Sequence, residues 1–66
     1  MIKEAVRYLE KAREASPKNV RVLLQLGVAY ERLDMKDEAL NIYRLILDID
    51  ALNQVARQKI KLLSSG

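Results

Sequence analysis

The chain has 66 residues, half of them apolar and about a third charged, with a formal net charge of +3 and neither cysteine nor histidine. That describes one small domain whose core is marginal without staples or neighbours. It excludes disulfides and thiolate chemistry, and it removes the commonest general base and metal ligand. The balance of apolar and charged residues argues against disorder. Charge is spread unevenly: residues 1–19 carry +2, residues 20–53 carry −2, and residues 54–66 carry +3 from Arg57, Lys59 and Lys61. This pattern is one of polar helix faces rather than of a continuous basic stripe. Apolar runs such as Leu26 to Tyr30 fall far short of the roughly 20 residues of a membrane span, and no signal-peptide pattern opens the chain. A cytosolic (cytoplasmic) setting is the default expectation.

Residues 2–15 place Ile2, Ala5, Val6, Leu9 and Ala12 at helical spacing, with Lys3, Glu4, Arg7, Glu10, Lys11, Arg13 and Glu14 on the other side. Glu4 with Arg7 and Glu10 with Arg13 form favourable pairs one helical turn apart, each worth a few tenths of a kcal/mol. Ser16-Pro17 ends this helix, because the residue before proline is pushed out of the α region, and Asn19 offers an N-cap for the next. Over residues 20–33, Leu23, Leu26, Gly27, Tyr30 and Leu33 make one face, Leu24 and Val28 another, and Val22 and Ala29 a third. A helix apolar around most of its circumference belongs inside an array. Gly27 costs a helix interior roughly 1 kcal/mol against alanine, so a close backbone neighbour is expected there, with Ala39 as its partner.

Asp34 to Lys36 is the break, with Asp34 suited to a turn and Asp34 or Asp37 placed to receive the free amides of the next helix. The third helix spans about residues 36–50 and buries Ala39, Leu40, Ile42, Tyr43, Ile46, Leu47 and Ile49. Asn53 caps a fourth over about residues 54–63, with Val55, Ala56, Ile60, Leu62 and Leu63 apolar and Gln54, Arg57, Gln58, Lys59 and Lys61 polar. Ser64-Ser65-Gly66 reads as a frayed end.

Sliding the chain against itself until Glu4-Ala5 falls on Glu38-Ala39 also brings Val6 onto Leu40, Leu9 onto Tyr43, Asn19 onto Asn53 and Leu26 onto Ile60. The first and third helices are thus one element used twice. With Leu23, Leu26-Gly27, Tyr30, Ala39 and Tyr43 in one unit, and Ala5, Leu9, Ala12 and Pro17 in the half-unit before it, the chain resembles the tetratricopeptide repeat family, whose helix-turn-helix unit has this same period. The resemblance implies an all-α fold of four helices in antiparallel helix-turn-helix repeats, a fragment of an α-solenoid. Its single domain, residues 1–66, divides into the second helix of a preceding repeat (1–19), a complete repeat (20–53), and a capping helix and tail (54–66). Ile46 and Ala51 depart from the family's small residue and proline, so the exit from the third helix is expected to be looser or longer than usual. Arg57 and Lys61 stand where a following helix would need apolar and small residues, which makes the fourth helix a cap. The first helix lacks its partner, so part of its apolar face should be bare, in an excised piece of a longer array or in a chain that covers itself with a second copy.

Enzymatic chemistry finds little support. Asp34, Asp37 and Glu38 cluster, as do Asp48 and Asp50, but without the central glycine and terminal glutamate of a calcium loop; acids attracted to a helix N-terminus explain the first cluster. Ser16, Ser64 and Ser65 have no histidine to activate them. Gly27 stands alone in mid-helix, so no phosphate-cradling loop exists. Tyr8, Tyr30 and Tyr43 read as packing residues rather than as base-stacking platforms. No enzyme activity, metal or cofactor is expected.

Binding of a protein or peptide remains. The resemblance implies a concave groove whose lining residues fall on Arg21, Leu24, Gln25, Val28, Glu31 and Arg32, with Val55, Gln58, Lys59 and Leu62 from the last helix. Leu24 and Val28 stand where the family's chaperone-tail clamp needs lysine and asparagine, so that clamp is absent. The apolar stripe of Leu24, Val28, Val55 and Leu62, edged by Arg21, Arg32 and Lys59, suits an amphipathic partner with acidic residues. The leading expectation is a scaffold-type interaction module. Its alternative is a homo-association segment that forms a homo-oligomer through uncovered helix faces. A nucleic-acid or anionic-surface binder ranks last, since the basic residues are scattered among acids. No membrane partner is expected.

Overall fold

The computed structural model describes residues 1–65 and consists of four helices: α1 (Ile2–Ala15), α2 (Val20–Arg32), α3 (Lys36–Ile49) and α4 (Gln54–Ser64). Consecutive helices pack on one another, so α2 lies between α1 and α3, and α3 between α2 and α4. The chain is all-α, as expected, and its elements obey the repeat. The offset from Ile2 to Lys36, where α1 and α3 start, is the same as that from Val20 to Gln54, where α2 and α4 start, and α1 and α3 have equal length.

The core follows from the apolar stripes. Leu23, Leu26, Ala39, Tyr43, Ile46 and Ala56 are wholly buried, joined by Leu9, Ala29 and Ile42. Leu40 is also buried, whereas Leu47 and Ile49 are only half-buried. Among the described residues no polar or charged side chain is buried in this core. Tyr8 departs from its expected packing role. It is 73% exposed, because it lies on the polar side of α1, away from the Ala5–Leu9 stripe.

The close approach at Gly27 is real, but its partner differs from the one expected. A β-carbon on Gly27 would come within 2.6 Å of Cε1 and 2.7 Å of Cζ of Tyr43. The ring of a buried tyrosine, not the backbone at Ala39, fills the space that glycine leaves. Ala39 and Tyr43 share one helical stripe, and the longer side chain is the one that reaches across.

The turns show the repeat most directly. Ser16 N–H donates to Ala12 O (2.9 Å) and Asn19 N–H to Ser16 O (3.1 Å); one period on, Asp50 N–H donates to Ile46 O (2.7 Å) and Asn53 N–H to Asp50 O (3.1 Å). The exit from α3 is therefore as tight as the exit from α1, although Ala51 stands where Pro17 does; backbone hydrogen bonds, not the proline, hold the shape. Asn19 and Asn53 both cap, their Oδ1 atoms accepting from Val22 N–H (3.2 Å) and Ala56 N–H (2.9 Å). The α2–α3 turn works differently. Asp34 has φ 61°, Asp34 N–H donates to Glu31 O and Met35 N–H to Tyr30 O, both at 2.9 Å. This is the Schellman closure of a helix C-terminus, with Asp34 at the position usually given to glycine. Asp34 thus ends α2 and does not cap α3, whose N-cap is Met35, without a side-chain hydrogen bond. Asp37 sits with Glu38 inside the first turn of α3, where the helix dipole favours acids. At the C-terminus α4 runs through Ser64, and the Ser65 hydroxyl donates to Leu62 O (3.0 Å), so these two serines close the helix rather than fray; Gly66 lies outside the described residues.

Candidate partner-binding cleft

The face of α2 that carries Leu24 and Val28 is covered by neither neighbour. Leu24, Gln25, Val28, Ala29 and Arg32 form one wall of a cleft of about 370 Å³, and Ile2, Ala5 and Leu9 of α1 form the other. Leu24 is half-buried and Val28 is 38% exposed, so the floor is apolar and open to solvent. The helical spacing explains the wall: residues 24, 25, 28, 29 and 32 follow one another at intervals that keep them on a single side of α2. Ile2, Ala5 and Leu9 do the same on α1. Gln25 and Arg32 are the only polar members of the lining, and Arg32 carries its sole charge. Among the described residues, neither ion pair involves Arg32.

Of the groove residues read from the sequence, Leu24, Gln25, Val28 and Arg32 come together here, while Arg21 is exposed on the first turn of α2 outside this lining. Glu31 is committed elsewhere. Its carboxylate accepts the Tyr43 hydroxyl and pairs with Lys59 Nζ at 3.2 Å, linking α2, α3 and α4 through one side chain. Lys59 is thereby drawn from the groove edge into the framework. The remaining α4 residues are not part of the cleft: Gln58 joins Gln54, Arg57 and Lys61 around a separate depression, Leu62, 59% exposed, lines another with Glu31, Asp34, Lys36 and Leu63, and Val55 is 51% exposed at the start of the helix. The α1 wall is the part that sequence reasoning assigned to packing. Its signal was the unpartnered apolar face of the first helix.

A second tyrosine–carboxylate contact supports the α1 wall. Tyr30 donates its hydroxyl to Glu10, which also pairs with Arg13 at 3.3 Å, so α2 is fastened to α1 at the end of the interface away from Ile2. Burial, the hydrogen bond to Glu10 and its charge all disfavour the phenolate, and push Tyr30 up to about 12. Burial, then Glu31, push Tyr43 up further still.

A family model for the tetratricopeptide repeat matches residues 1–61, and the chain belongs to that family. Repeats of this family generally mediate protein–protein interaction and are typically non-catalytic. Among curated proteins the chain is similar to "Protein O-mannosyl-transferase F38B6.6" of Caenorhabditis elegans, with 32% identity over 59 residues, 89% of this chain and 9% of that protein. The chain thus spans a small part of a relative whose own activity is that of the whole protein. No solved structure matches. Among the described residues no helix is long and apolar enough to cross a membrane, and no group of three metal-ligating side chains converges.

Proposed function

We propose that this chain is a protein-interaction module that receives a peptide or helical segment of a partner protein in the cleft between α1 and α2, in a scaffold role. The observation that carries this reading is the open apolar lining of Leu24, Val28 and Ala5 with Arg32 at its edge, in a fold of a family that binds proteins. Within this reading α1 is the second helix of one repeat, residues 20–53 are a complete repeat, and residues 54–66 are a cap and tail. The basic outer face of α4, with Arg57 and Lys61 exposed, supports the assignment of a cap. Glu31 and Lys59 serve as framework rather than as contacts, which narrows the groove to Leu24, Gln25, Val28 and Arg32 on α2.

Titrating isotope-labelled protein with amphipathic helical peptides of either charge sign tests this. The expected result is shifts concentrated at residues 2–9 and 24–32, strongest with acidic peptides. Shifts confined to α3 and α4 would overturn it. Val28→Asp should leave the helical signal and thermal midpoint close to those of the parent, since Val28 is already 38% exposed, while removing peptide binding. An unfolded Val28→Asp protein would contradict the division between a packing face and a binding face.

A further inference from the structure

The packed pairs α1 with α2 and α3 with α4 occupy matching places in the repeat, yet they are fastened differently. In the first pair Tyr30 of α2 donates its hydroxyl to Glu10 of α1, and Glu10 is held in turn by Arg13. One period on, those two positions are Ser64 and Arg44, and among the described residues no ion pair or side-chain hydrogen bond joins them. The tie of α4 is instead Lys59, whose Nζ lies 3.2 Å from the carboxylate of Glu31 on α2. We infer that α4 is a releasable strap: the Glu31–Lys59 pair latches it, and when the latch opens α4 leaves α3 and melts as a unit while α1, α2 and α3 stay folded.

Without the latch, little holds α4. Ala56 is its one buried residue, Ile60 and Leu63 are half-buried, and Val55 and Leu62 are exposed, whereas α3 buries Ala39, Leu40, Ile42, Tyr43 and Ile46. The other side-chain hydrogen bonds around α4 are local: Asn53 caps its start and bonds Asp50, and Ser65 closes its end. With 11 residues, α4 is shorter than the roughly 12–15 that an isolated helix needs in water, so away from α3 it does not stay helical. Release and melting are therefore one event. The rest of the fold survives that event because its own ties do not pass through α4. Glu31 keeps the Tyr43 hydroxyl when Lys59 leaves, and Gly27 keeps its contact with the Tyr43 ring. The side chains of Lys59 and Glu31 are 32% and 24% exposed, so water and salt reach the pair and dissolved ions compete with it. Ionic strength is the input of this device, and the order of α4 is its output.

Hydrogen exchange of the intact chain, read amide by amide as protection factors, tests the strap. Residues 58–63 should share one protection factor, at least about tenfold below that of residues 26–30 in α2. Fraying from the end would instead give a gradient falling toward Ser64. Raising sodium chloride from about 0.05 M to about 1 M should lower protection in α4 alone, roughly two- to fivefold. Lys59→Met should do the same at low salt and remove most of the salt response. Arg57→Met removes an equal charge that has no ion-pair partner, and should leave α4 as it is. Arg44→Glu with Ser64→Tyr copies the Glu10–Tyr30 tie onto the second pair, and should raise protection across α4 severalfold. A common protection factor for α4 and α2, a gradient along α4, or equal effects of Lys59→Met and Arg57→Met would each overturn the inference. So would a double variant that leaves α4 unchanged, since the missing tie would then not be what frees it. Should circular dichroism show Lys59→Met unfolded, the salt response of the parent chain decides, and its absence overturns the latch.

Discussion

At the scale of single residues, Gly27 and Tyr43 define the tightest contact in the molecule. A β-carbon at Gly27 would stand 2.6 Å from a ring that is wholly buried and whose hydroxyl is held by Glu31, so the ring has little room to yield. Overpacking of this kind costs about 1–3 kcal/mol, more than the roughly 1 kcal/mol that alanine gains in helix propensity. Gly27→Ala is therefore expected to lower the denaturation midpoint, and in a Tyr43→Leu background, which removes the Cε1 and Cζ atoms in the way, the same substitution should raise it. A double-mutant cycle by urea unfolding measures the sign change. The tyrosines also set an alkaline limit. Tyr30 is raised from 10.0 to about 12 and Tyr43 is raised as well. Each folded-state value exceeds the unfolded one, so the stabilisation is complete below pH 10 and is lost as pH climbs toward 12 and beyond. Unfolding monitored between pH 9 and 12 should show a falling midpoint, less steep in Tyr30→Phe; a flat profile would contradict the two hydroxyl–carboxylate contacts.

At the scale of elements, the turns matter more than the helices they join. Asp34 holds a left-handed conformation that costs an L-residue roughly 1–2 kcal/mol, a cost glycine escapes. Part of that gain is offset by the greater freedom of glycine in the unfolded chain. Asp34→Gly should stabilise by up to about 1 kcal/mol net in thermal unfolding, and a loss of stability would mean that the Asp34 side chain contributes something unseen in its hydrogen bonds. Ala51 presents the opposite opportunity: its turn has the same hydrogen bonds as the one around Pro17, so Ala51→Pro should stabilise by about 0.4–1 kcal/mol through the unfolded chain. These turns also show what could be read in one dimension. Asn19 and Asn53 announce helix starts because a side-chain acceptor at an N-cap is a local requirement, and the start of every helix was legible for that reason or from periodicity. The α2 wall of the cleft was legible in the same way, as a run of residues on one helical side. The bare part of α1 was legible too, in a first helix without a partner; what was not is that Ile2 and Ala5 would join Leu24 and Val28 in one cleft, which depends on how α1 and α2 pack. The Gly27 partner escaped for a related reason: Ala39 and Tyr43 share a stripe, and only side-chain length in three dimensions decides which one reaches the glycine.

At the scale of the whole molecule, the two ends are unlike, and this controls how the chain can associate. The offset from α1 to α3 equals that from α2 to α4, so in principle α4 of one copy could pair with α1 of the next and continue the array. The α1 end leaves room for it, since Ile2 and Ala5 are only half-buried and line an open cleft. The α4 end forbids it. Lys61 stands where the close approach needs a small residue, Arg57 stands where Leu23 is wholly buried in the complete unit, and both are exposed beside Gln54 and Gln58. Burying either cation without a partner would cost several kcal/mol, well beyond what one small apolar seat returns. Such a contact would be heterologous and would not close, so the charges at α4 also prevent open-ended growth. The expected outcome is that the parent chain sediments as a monomer across the micromolar range, whereas Arg57→Leu with Lys61→Gly forms concentration-dependent oligomers that Ala5→Leu then disrupts. Oligomers that form equally in the parent chain would show that a face other than the α1–α4 pair drives association; a double variant that stays monomeric would show that the open seat on α1 is too weak to hold a helix of this kind.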